Sequence, residues 1–551
     1  MRKRSDSDGP WVSRKGAKAQ RKKAIAPGMG TSADAPSFCN ASSPKTLRPS
    51  IFDRGDSRPL CAFAPLREIL RRPLLAILAL AILAFDPASA VEIEGLPKPG
   101  EPRRVTLAAP AEKTLPNGLR VIVVERPGLP LLSAQLIMKR GVEADPPARS
   151  GLTQFTTGLL KRGTKTRTAP QIAQDIEALG AKIDTSASWD ASTLSLTTLS
   201  ANAEPALAIV AELTRAPAFA QDEIERARRE TLDELRVALE EPGTVGRFAA
   251  VRATLPFDAH PPGGTPASVA RYTRKEIVAQ HARLFRPENA VLVLAGNITA
   301  PDAFALAGKL FGSWKAATDD VKPLPRTLPA TVPRVVIIDM PRAGQAAVFL
   351  AAPAITRGAG DWFPGKVANT LLGGGYTSRL NQEIRLKRGL SYGANSTLST
   401  RRNSGIFLAS AQTKNESALE VVRVMQAEFA RLATEPTPLD FLQTRKSVLT
   451  GALARALETN ADTVQRVGEL ALYDLPLDGL NRFFDDVERV QPIDLQTFAT
   501  KHLAGDAFTI VIAGQAKIVE PQLRPIFPKL EVIRLSKLDL DSPKLQRPPE
   551  R

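Results

Sequence analysis

Two side chains in the second half of the chain, Arg385 and Tyr392, have types and a spacing that suit the binding of a polar ligand. They lie within the segment Leu371–Ser396, which reads LLGGGYTSRLNQEIRLKRGLSYGANS. A guanidinium and a phenol both donate hydrogen bonds, so together they can hold carbonyl oxygens and stabilise developing negative charge. The alternative is an ordinary surface, with Arg385 as a solvated cation near a helix end and Tyr392 as a half-buried strand aromatic.

The elements that must position these two residues can be predicted from the same segment. Three consecutive glycines break local structure and let a backbone approach closely: Gly373, Gly374 and Gly375. Ser378 is placed to cap a short helix, whose apolar stripe contains Leu380 and Ile384. Gly389 is expected to end this helix in the left-handed conformation, and a strand is expected from Ser391 to Leu398.

A second segment of interest lies in the first half, from Gly151 to Thr164, and reads GLTQFTTGLLKRGT. Its apolar residues Leu152, Phe155 and Leu159 recur at helical spacing, which predicts an amphipathic helix.

Together these segments resemble the signatures of the pitrilysin and mitochondrial processing peptidase family, also called inverzincins. The stretch Ile384–Tyr392 fits the family pattern I-R-x-x-x-G-L-x-Y, and the first-half helix ends in the same Gly-Thr pair, Gly163-Thr164. The resemblance implies that Arg385 and Tyr392, with the three glycines, bind a peptide substrate. It also implies an α+β fold of two homologous domains, each an antiparallel-dominated sheet flanked by helices, facing each other across a cavity.

The first-half helix departs from the family pattern at the positions that bind zinc. Active members carry H-x-x-E-H there, with two histidine ligands and a glutamate base. The matching residues in this chain are Gln154, Thr157 and Gly158, none of which is an imidazole or a carboxylate. Glu234 follows Gly158 by 76 residues, close to the family's third ligand, although a solvated helix glutamate is the ordinary interpretation. We therefore expect no metal or other cofactor in this chain.

Histidine and cysteine usage agrees with that expectation. The only histidines are His260, His281 and His502, and no two of them have metal-ligand spacing. Both cysteines, Cys39 and Cys61, precede residue 66. A mature chain that starts later would have no disulfide and no thiol nucleophile.

The amino-terminal region predicts export. Residues 1–90 contain 16 Lys and Arg against 7 Asp and Glu, so they carry +9 of the net charge of +17. Residues 66–90 have the pattern of a signal peptide: basic residues, the apolar run Pro73–Phe85, and Ala88-Ser89-Ala90 as the cleavage site. A periplasmic location with cleavage after Ala90 is predicted, and an uncleaved membrane anchor is the alternative. Residues 1–65 are interpreted as disordered or as the result of an incorrectly assigned translation start. Nucleic-acid binding by this region is disfavoured because its basic tracts lack interleaved aromatic residues.

The remainder of the chain reads as a duplication. Aligning Ala295-Gly296 with Ala513-Gly514 gives an offset of 218 residues between the two copies. The predicted organisation is a first domain at 105–315, a proline-rich linker at 316–333, a second domain with the Arg/Tyr motif at 334–535 and a disordered tail at 536–551.

Some members of the family divide the labour between two chains, one with the zinc helix and one with the Arg and Tyr. This sequence resembles the second kind. We expect a non-zinc, substrate-binding subunit of a heterodimeric periplasmic metallopeptidase, inactive alone, whose partner is a homologous H-x-x-E-H zinc subunit and whose substrates are peptides. The alternative is a catalytically inactive scaffold or peptide-binding protein with the same fold.

The first prediction concerns metal content. The purified, tag-free protein should contain far less than one zinc per chain and show no chelator-sensitive peptidase activity alone, because its motif positions lack zinc ligands and a base. Elemental analysis and a peptidase assay with and without chelator measure both quantities. Stoichiometric zinc accompanied by turnover would contradict the interpretation of the helix.

Overall fold

Apolar and β-branched runs form the strands of two mixed sheets. The structure, a computed structural model, describes residues 105–146, 148–255, 260–261, 263–316 and 332–547. The strands of the first half are β1 Ala111–Thr114, β2 Arg120–Glu125, β3 Leu131–Met138, β4 Lys182–Ala187, β5 Ser192–Leu199 and β6 Ala290–Gly296. Those of the second half are β7 Val335–Asp339, β8 Ala346–Pro353, β9 Ser391–Thr400, β10 Gly405–Thr413, β11 Thr509–Gly514 and β12 Glu531–Arg534.

Amphipathic helices flank both sheets. The first half contains α1 Leu152–Leu159, α2 Ala169–Ala178, α3 Ala203–Arg215, α4 Gln221–Ala238, α5 Pro242–Thr254, α6 Pro266–Val269, α7 Arg274–Leu284 and α8 Ala300–Phe311. The second half contains α9 Trp362–Gly373, α10 Arg379–Asn381, a π-helix at Gln382–Lys387, α11 Ala418–Thr434, α12 Leu439–Ala456, α13 Asn460–Leu472, α14 Gly479–Glu488, α15 Pro492–His502 and α16 Ala516–Leu523. Within the described ranges, no helix is long and apolar enough to cross a membrane.

The two halves share one topology. The strand orders are β1-β2-β6-β3-β5-β4 and β12-β7-β11-β8-β10-β9, so five strands of each sheet correspond in order. Each sheet is mainly antiparallel, and its second and third strands form a parallel pair, β2 with β6 and β7 with β11. The edge strands differ, because β1 is antiparallel to β2 whereas β12 is parallel to β7. The predicted α+β fold with two homologous domains is confirmed.

Each half covers one face of the other half's sheet with a helix. Apolar residues of α5, among them Val245 and Ala249, form one core with Phe349 and Val511 of the second sheet. Conversely, α13 and the end of α12 pack on Ile122, Val293 and neighbouring residues of the first sheet. The two helices are 218 residues apart, the offset found in the sequence.

A glycine allows close helix–sheet contact in each exchanged helix. A Cβ atom at Gly246 of α5 would lie 2.6 Å from the Phe349 ring, and one at Gly468 of α13 would lie 2.5 Å from Ile137 Cδ1. Apolar packing therefore fills the contact between each exchanged helix and the sheet that it covers.

The carboxy-terminal segment is another difference from the sequence analysis, which predicted disorder at 536–551. Residues 536–547 are folded, and Leu538, Leu540 and Leu545 are buried in the core that contains α5. Asp541 accepts hydrogen bonds from the hydroxyls of Ser150 and Thr265 in the first half. The prediction failed because the composition of this segment is polar while its few leucines all face the same core. The predicted leader, signal peptide and most of the linker, 317–331, lie outside the described residues.

The second prediction tests this segment. Leu545 is fully buried and has a φ of 59°, a conformation that its packing must offset. Leu545→Ala should lower the free energy of unfolding by about 2–5 kcal/mol, because it removes buried methyl groups. Leu439→Ala is the matched control, since Leu439 is 69% exposed, and should stay within about 0.5 kcal/mol. Chemical denaturation measures both, and equal effects would show that the segment is not packed.

Candidate functional site

Arg385 lies on an unusual helix. The short helix α10 continues directly into the π-helix Gln382–Lys387, where the sequence predicted one α-helix. The wider π-turn changes the direction in which side chains project, and such turns are frequent at functional sites. Gly389 ends the segment with a φ of 62°, as predicted. Ser378 occupies the N-cap position, but its hydroxyl makes no capping hydrogen bond, so that part of the prediction is wrong.

Arg385 is held between two tyrosine rings. Its guanidinium carbon lies 4.6 Å from the ring centroid of Tyr392 and 4.9 Å from that of Tyr376. Both rings are largely exposed, Tyr392 by 87% and Tyr376 by 59%. We call these three residues the Tyr–Arg–Tyr stack. The structure thus brings together the two predicted residues and adds a third, Tyr376, which the sequence analysis missed although it directly follows the glycines.

A buried asparagine joins the backbone of the loop that carries Tyr376 to the backbone of the strand that carries Tyr392. The Asn381 side chain donates to the backbone oxygen of Tyr376 at 2.6 Å and accepts from the backbone nitrogen of Ala394 on β9 at 3.3 Å. Arg445 of α12 donates to the hydroxyl of Thr377 at 2.9 Å. The loop before the helix and the strand after it are therefore fixed to each other by hydrogen bonds.

The three glycines have different local roles. A Cβ atom on Gly373 would lie 2.0 Å from the backbone nitrogen of Ser396, so this glycine allows α9 to approach β9. One on Gly374 would lie 2.6 Å from Thr370 Cα, whereas the space around Gly375 is open. The close approach that the sequence predicted is made, at Gly373, by the protein's own strand.

Among the described residues, no carboxylate forms an ion pair with the guanidinium of Arg385. Nearby Glu383 is already paired with Lys387, at 2.5 Å, and with Arg388. The hydrogen bond from Lys387 lowers the pKa of Glu383, which keeps this carboxylate ionised and engaged. Within the described part of the chain, no carboxylate lies within 4 Å of Arg385.

The residues of α1 do not fit a zinc site. Gln154 and Gly158 are exposed, while Thr157 is buried and donates its hydroxyl proton to the Thr153 carbonyl oxygen at 2.8 Å. Glu234 on α4 is exposed. An amide, an engaged hydroxyl and a glycine supply no imidazole or carboxylate, and no cluster of three His, Cys, Asp or Glu suited to a metal occurs among the described residues.

Helix α1 is nevertheless firmly built. The buried Asp145 accepts hydrogen bonds from the backbone nitrogens of Gly151, at 2.6 Å, and Thr153, at 2.7 Å, at the start of the helix. Burial raises the pKa of Asp145, and the neighbouring His260 opposes that rise. Leu152, Phe155 and Leu159 are buried, as predicted, in the hydrophobic core between the first sheet and the helices of the first half. The helix therefore contributes packing.

The other two histidines occupy corresponding helices, α7 and α15. His281 Nε2 donates a hydrogen bond to the Thr214 carbonyl oxygen at 2.9 Å, and burial lowers the pKa of His281 to about 4. His502 Nε2 lies 2.9 Å from a carboxylate oxygen of Asp361.

Comparison with known proteins places these features in a family. A sequence profile described as Insulinase (Peptidase family M16) matches residues 120–255. A second profile, described as Peptidase M16 inactive domain, matches residues 271–448, which include the Tyr–Arg–Tyr stack. The two matches together span more than half of the chain. The chain belongs to peptidase family M16.

Relatives and solved structures agree with the M16 assignment. A Mycobacterium leprae protein described as an uncharacterised zinc protease is 27% identical over 403 residues, covering 72% of this chain and 90% of the relative. A Bacillus subtilis protein of the same description, YmxG, is 23% identical over 364 residues, covering 65% of this chain and 86% of the relative.

Among solved structures, the M16 inactive domain from Pseudomonas fluorescens has a TM-score of 0.70 at 28% identity, covering 74% of this chain and 98% of that one. A Helicobacter pylori protease has a TM-score of 0.71 at 21% identity, covering 74% of this chain and 100% of that one. The periplasmic protease PqqL from Escherichia coli has a TM-score of 0.61 at 16% identity, covering 76% of this chain and 49% of that one. At these identities the last two similarities show the fold alone.

The third prediction distinguishes Gly373 from Gly375 by the effect of an added methyl group on stability. Gly373→Ala should destabilise the protein by about 1–3 kcal/mol, because the new methyl group overlaps β9. Gly375→Ala, the matched control in open space, should change stability by less than about 0.5 kcal/mol. Thermal denaturation of both variants measures the difference. An Ala at position 373 that left stability unchanged would contradict the described contact between α9 and β9.

Proposed function

We propose that this M16 chain is the non-zinc, substrate-binding subunit of a heterodimeric periplasmic metallopeptidase that acts on peptides. The observation that carries the proposal is the exposed Tyr–Arg–Tyr stack, whose guanidinium is unpaired among the described residues while the α1 positions lack zinc ligands. A chain that retains polar donors for a ligand, without a group to activate water, is suited to hold a substrate for another active site.

The chemistry of the stack suits a peptide backbone. The Arg385 fork can donate to one or two oxygen atoms of a bound peptide, and the Tyr392 hydroxyl can donate to a carbonyl oxygen or to a developing oxyanion. Because Tyr392 is on β9 and Arg385 is on the π-helix, both donors are held by elements that pack in the hydrophobic core between the second sheet and the helices of the second half. Such donors raise the rate of a reaction without performing it alone.

The remaining chemistry must come from the partner subunit. We propose a homologous chain with the H-x-x-E-H helix, in which zinc would polarise the scissile carbonyl and supply an activated water. Gln154, Thr157 and Gly158 cannot take that role in this chain. The relatives described as zinc proteases and the signal-peptide pattern at residues 66–90 support a secreted proteolytic assembly.

A non-catalytic scaffold or peptide-binding protein is the competing function. This function is favoured because Gln154, Thr157 and Gly158 stand where active family members have H-x-x-E-H. Their presence explains the loss of catalysis in this chain and does not by itself require a catalytic partner. The two functions differ in whether changes to the stack alter the hydrolysis of peptides.

The fourth prediction tests the proposal in a reconstituted pair. Tyr392→Phe removes one hydroxyl and little packing, so the folding and assembly of the subunit should be retained. Peptide hydrolysis by the mixed subunits should fall by about 10²–10³, the effect of losing one preorganised donor to an oxyanion. Arg385→Lys keeps the charge but loses the planar fork, so hydrolysis should fall here too.

Arg388→Lys is the matched control, because Arg388 is paired with Glu383 and lies on the same segment. Thermal stability and co-elution with the partner are measured for every variant. Full hydrolysis by well-folded Tyr392→Phe and Arg385→Lys complexes would favour the scaffold.

A further inference from the structure

The contacts of Arg385 leave its hydrogen-bond donors available to a ligand. The central carbon of its guanidinium lies over the rings of Tyr376 and Tyr392, 4.9 and 4.6 Å from their centroids. An aromatic ring offers no lone pair, so neither contact engages the five N–H donors in a conventional hydrogen bond. No hydrogen bond joins the guanidinium to another described residue.

The helix that carries Arg385 has an excess of positive charge beside the stack. After Arg385 come Lys387 and Arg388, and the only acid of the π-helix is Glu383. That acid is occupied by Lys387 and Arg388. Arg445 also reaches the loop through Thr377, 2.9 Å away. An uncompensated cation in a basic environment favours an anion over a neutral carbonyl group.

We propose that the Tyr–Arg–Tyr stack is a carboxylate receptor, which makes this subunit select peptides with an acidic side chain or a free carboxy terminus at the bound position. The proposal rests on the proposed function, namely that peptides bind at Arg385. A carboxylate matches the planar fork with two parallel hydrogen bonds, whereas a peptide carbonyl offers one oxygen. Tyr376 is then a specificity-determining residue, because its ring keeps the fork in one orientation.

Tyr376 is suited to this role by its attachment. Its backbone oxygen accepts a hydrogen bond from the Asn381 side chain. The position of the Tyr376 backbone therefore does not depend on the contact between its ring and Arg385. We expect removal of the ring to leave the loop in place and to eliminate one of the two contacts that orient the guanidinium. A cation–π contact at an exposed site corresponds to about a two- to fivefold change in an equilibrium constant.

The test measures the binding of unlabelled peptides to the full chain by isothermal titration calorimetry. Three short peptides of otherwise identical sequence are compared: an amidated peptide with a central Asp, its Asn counterpart, and the Asn peptide with a free carboxy terminus. We expect at least one carboxylate-bearing peptide to bind about tenfold more tightly than the neutral one, as for a charge-assisted hydrogen bond. The Asp peptide reports a side-chain carboxylate, and the third peptide reports a terminal one.

The variants assign the preference to the stack. Arg385→Gln should abolish the discrimination between charged and neutral peptides, whereas Arg388→Gln, which removes the same charge nearby, should retain it. Tyr376→Ala should reduce the discrimination about two- to fivefold, whereas Tyr376→Phe should keep it because the ring remains.

The outcomes separate this inference from the proposed function. If all three peptides bind equally and all lose affinity in Arg385→Gln, peptide binding stands and the carboxylate preference is overturned. If Arg388→Gln acts like Arg385→Gln, general electrostatic attraction replaces the receptor. If no peptide depends on Arg385 for binding, both the inference and the proposed substrate-binding role fail.

Discussion

The reciprocal burial of α5 and α13 is the interaction on which the rest of the structure depends. Each sheet has two apolar faces, and one face of each is covered by a helix from the other half. Because an uncovered apolar face would be exposed to water, neither half has a complete core without its counterpart. The opposite face of the second sheet packs against α9, the π-helix and α11, which position the stack. The exchanged helix α5 therefore packs on the face of the second sheet opposite to the elements that carry the stack.

The structure shows which features local sequence could reveal. The left-handed Gly389, the strand that begins at Ser391 and the helix through Gln154 and Gly158 follow from glycine conformation and apolar spacing. Tyr376 could not be placed, because its contact with Arg385 depends on how the loop folds back. The π-turn depends likewise on tertiary packing around Ile384, and the folded residues 536–547 depend on a core built by distant segments. Sequence patterns show the periodicity within a helix or strand but not the tertiary contacts that the helix or strand makes.

Helix α1 and the Tyr–Arg–Tyr stack, the two motif regions of this M16 chain, differ in what the structure does with their polar residues. In the first, Asp145 and the buried apolar residues keep α1 in place although its donor positions cannot bind zinc. In the second, hydrogen bonds and packing fix the segments that carry two exposed tyrosines and the partly exposed Arg385. An exposed stack has no role in the core, whereas α1 is accounted for by packing. This contrast is the physical basis for proposing that the chain holds a substrate and leaves hydrolysis to a partner.

Isolation of the protein from its native source tests that division of labour most directly. The chain is purified under gentle conditions, its bound proteins are identified, and zinc content and peptide hydrolysis are measured for the complex and for each separated chain. The account predicts a homologous H-x-x-E-H partner in equal amount, with zinc on the partner and hydrolysis by the pair. Recovery of this chain as a self-associated protein, without such a partner and without peptidase activity, would contradict the account.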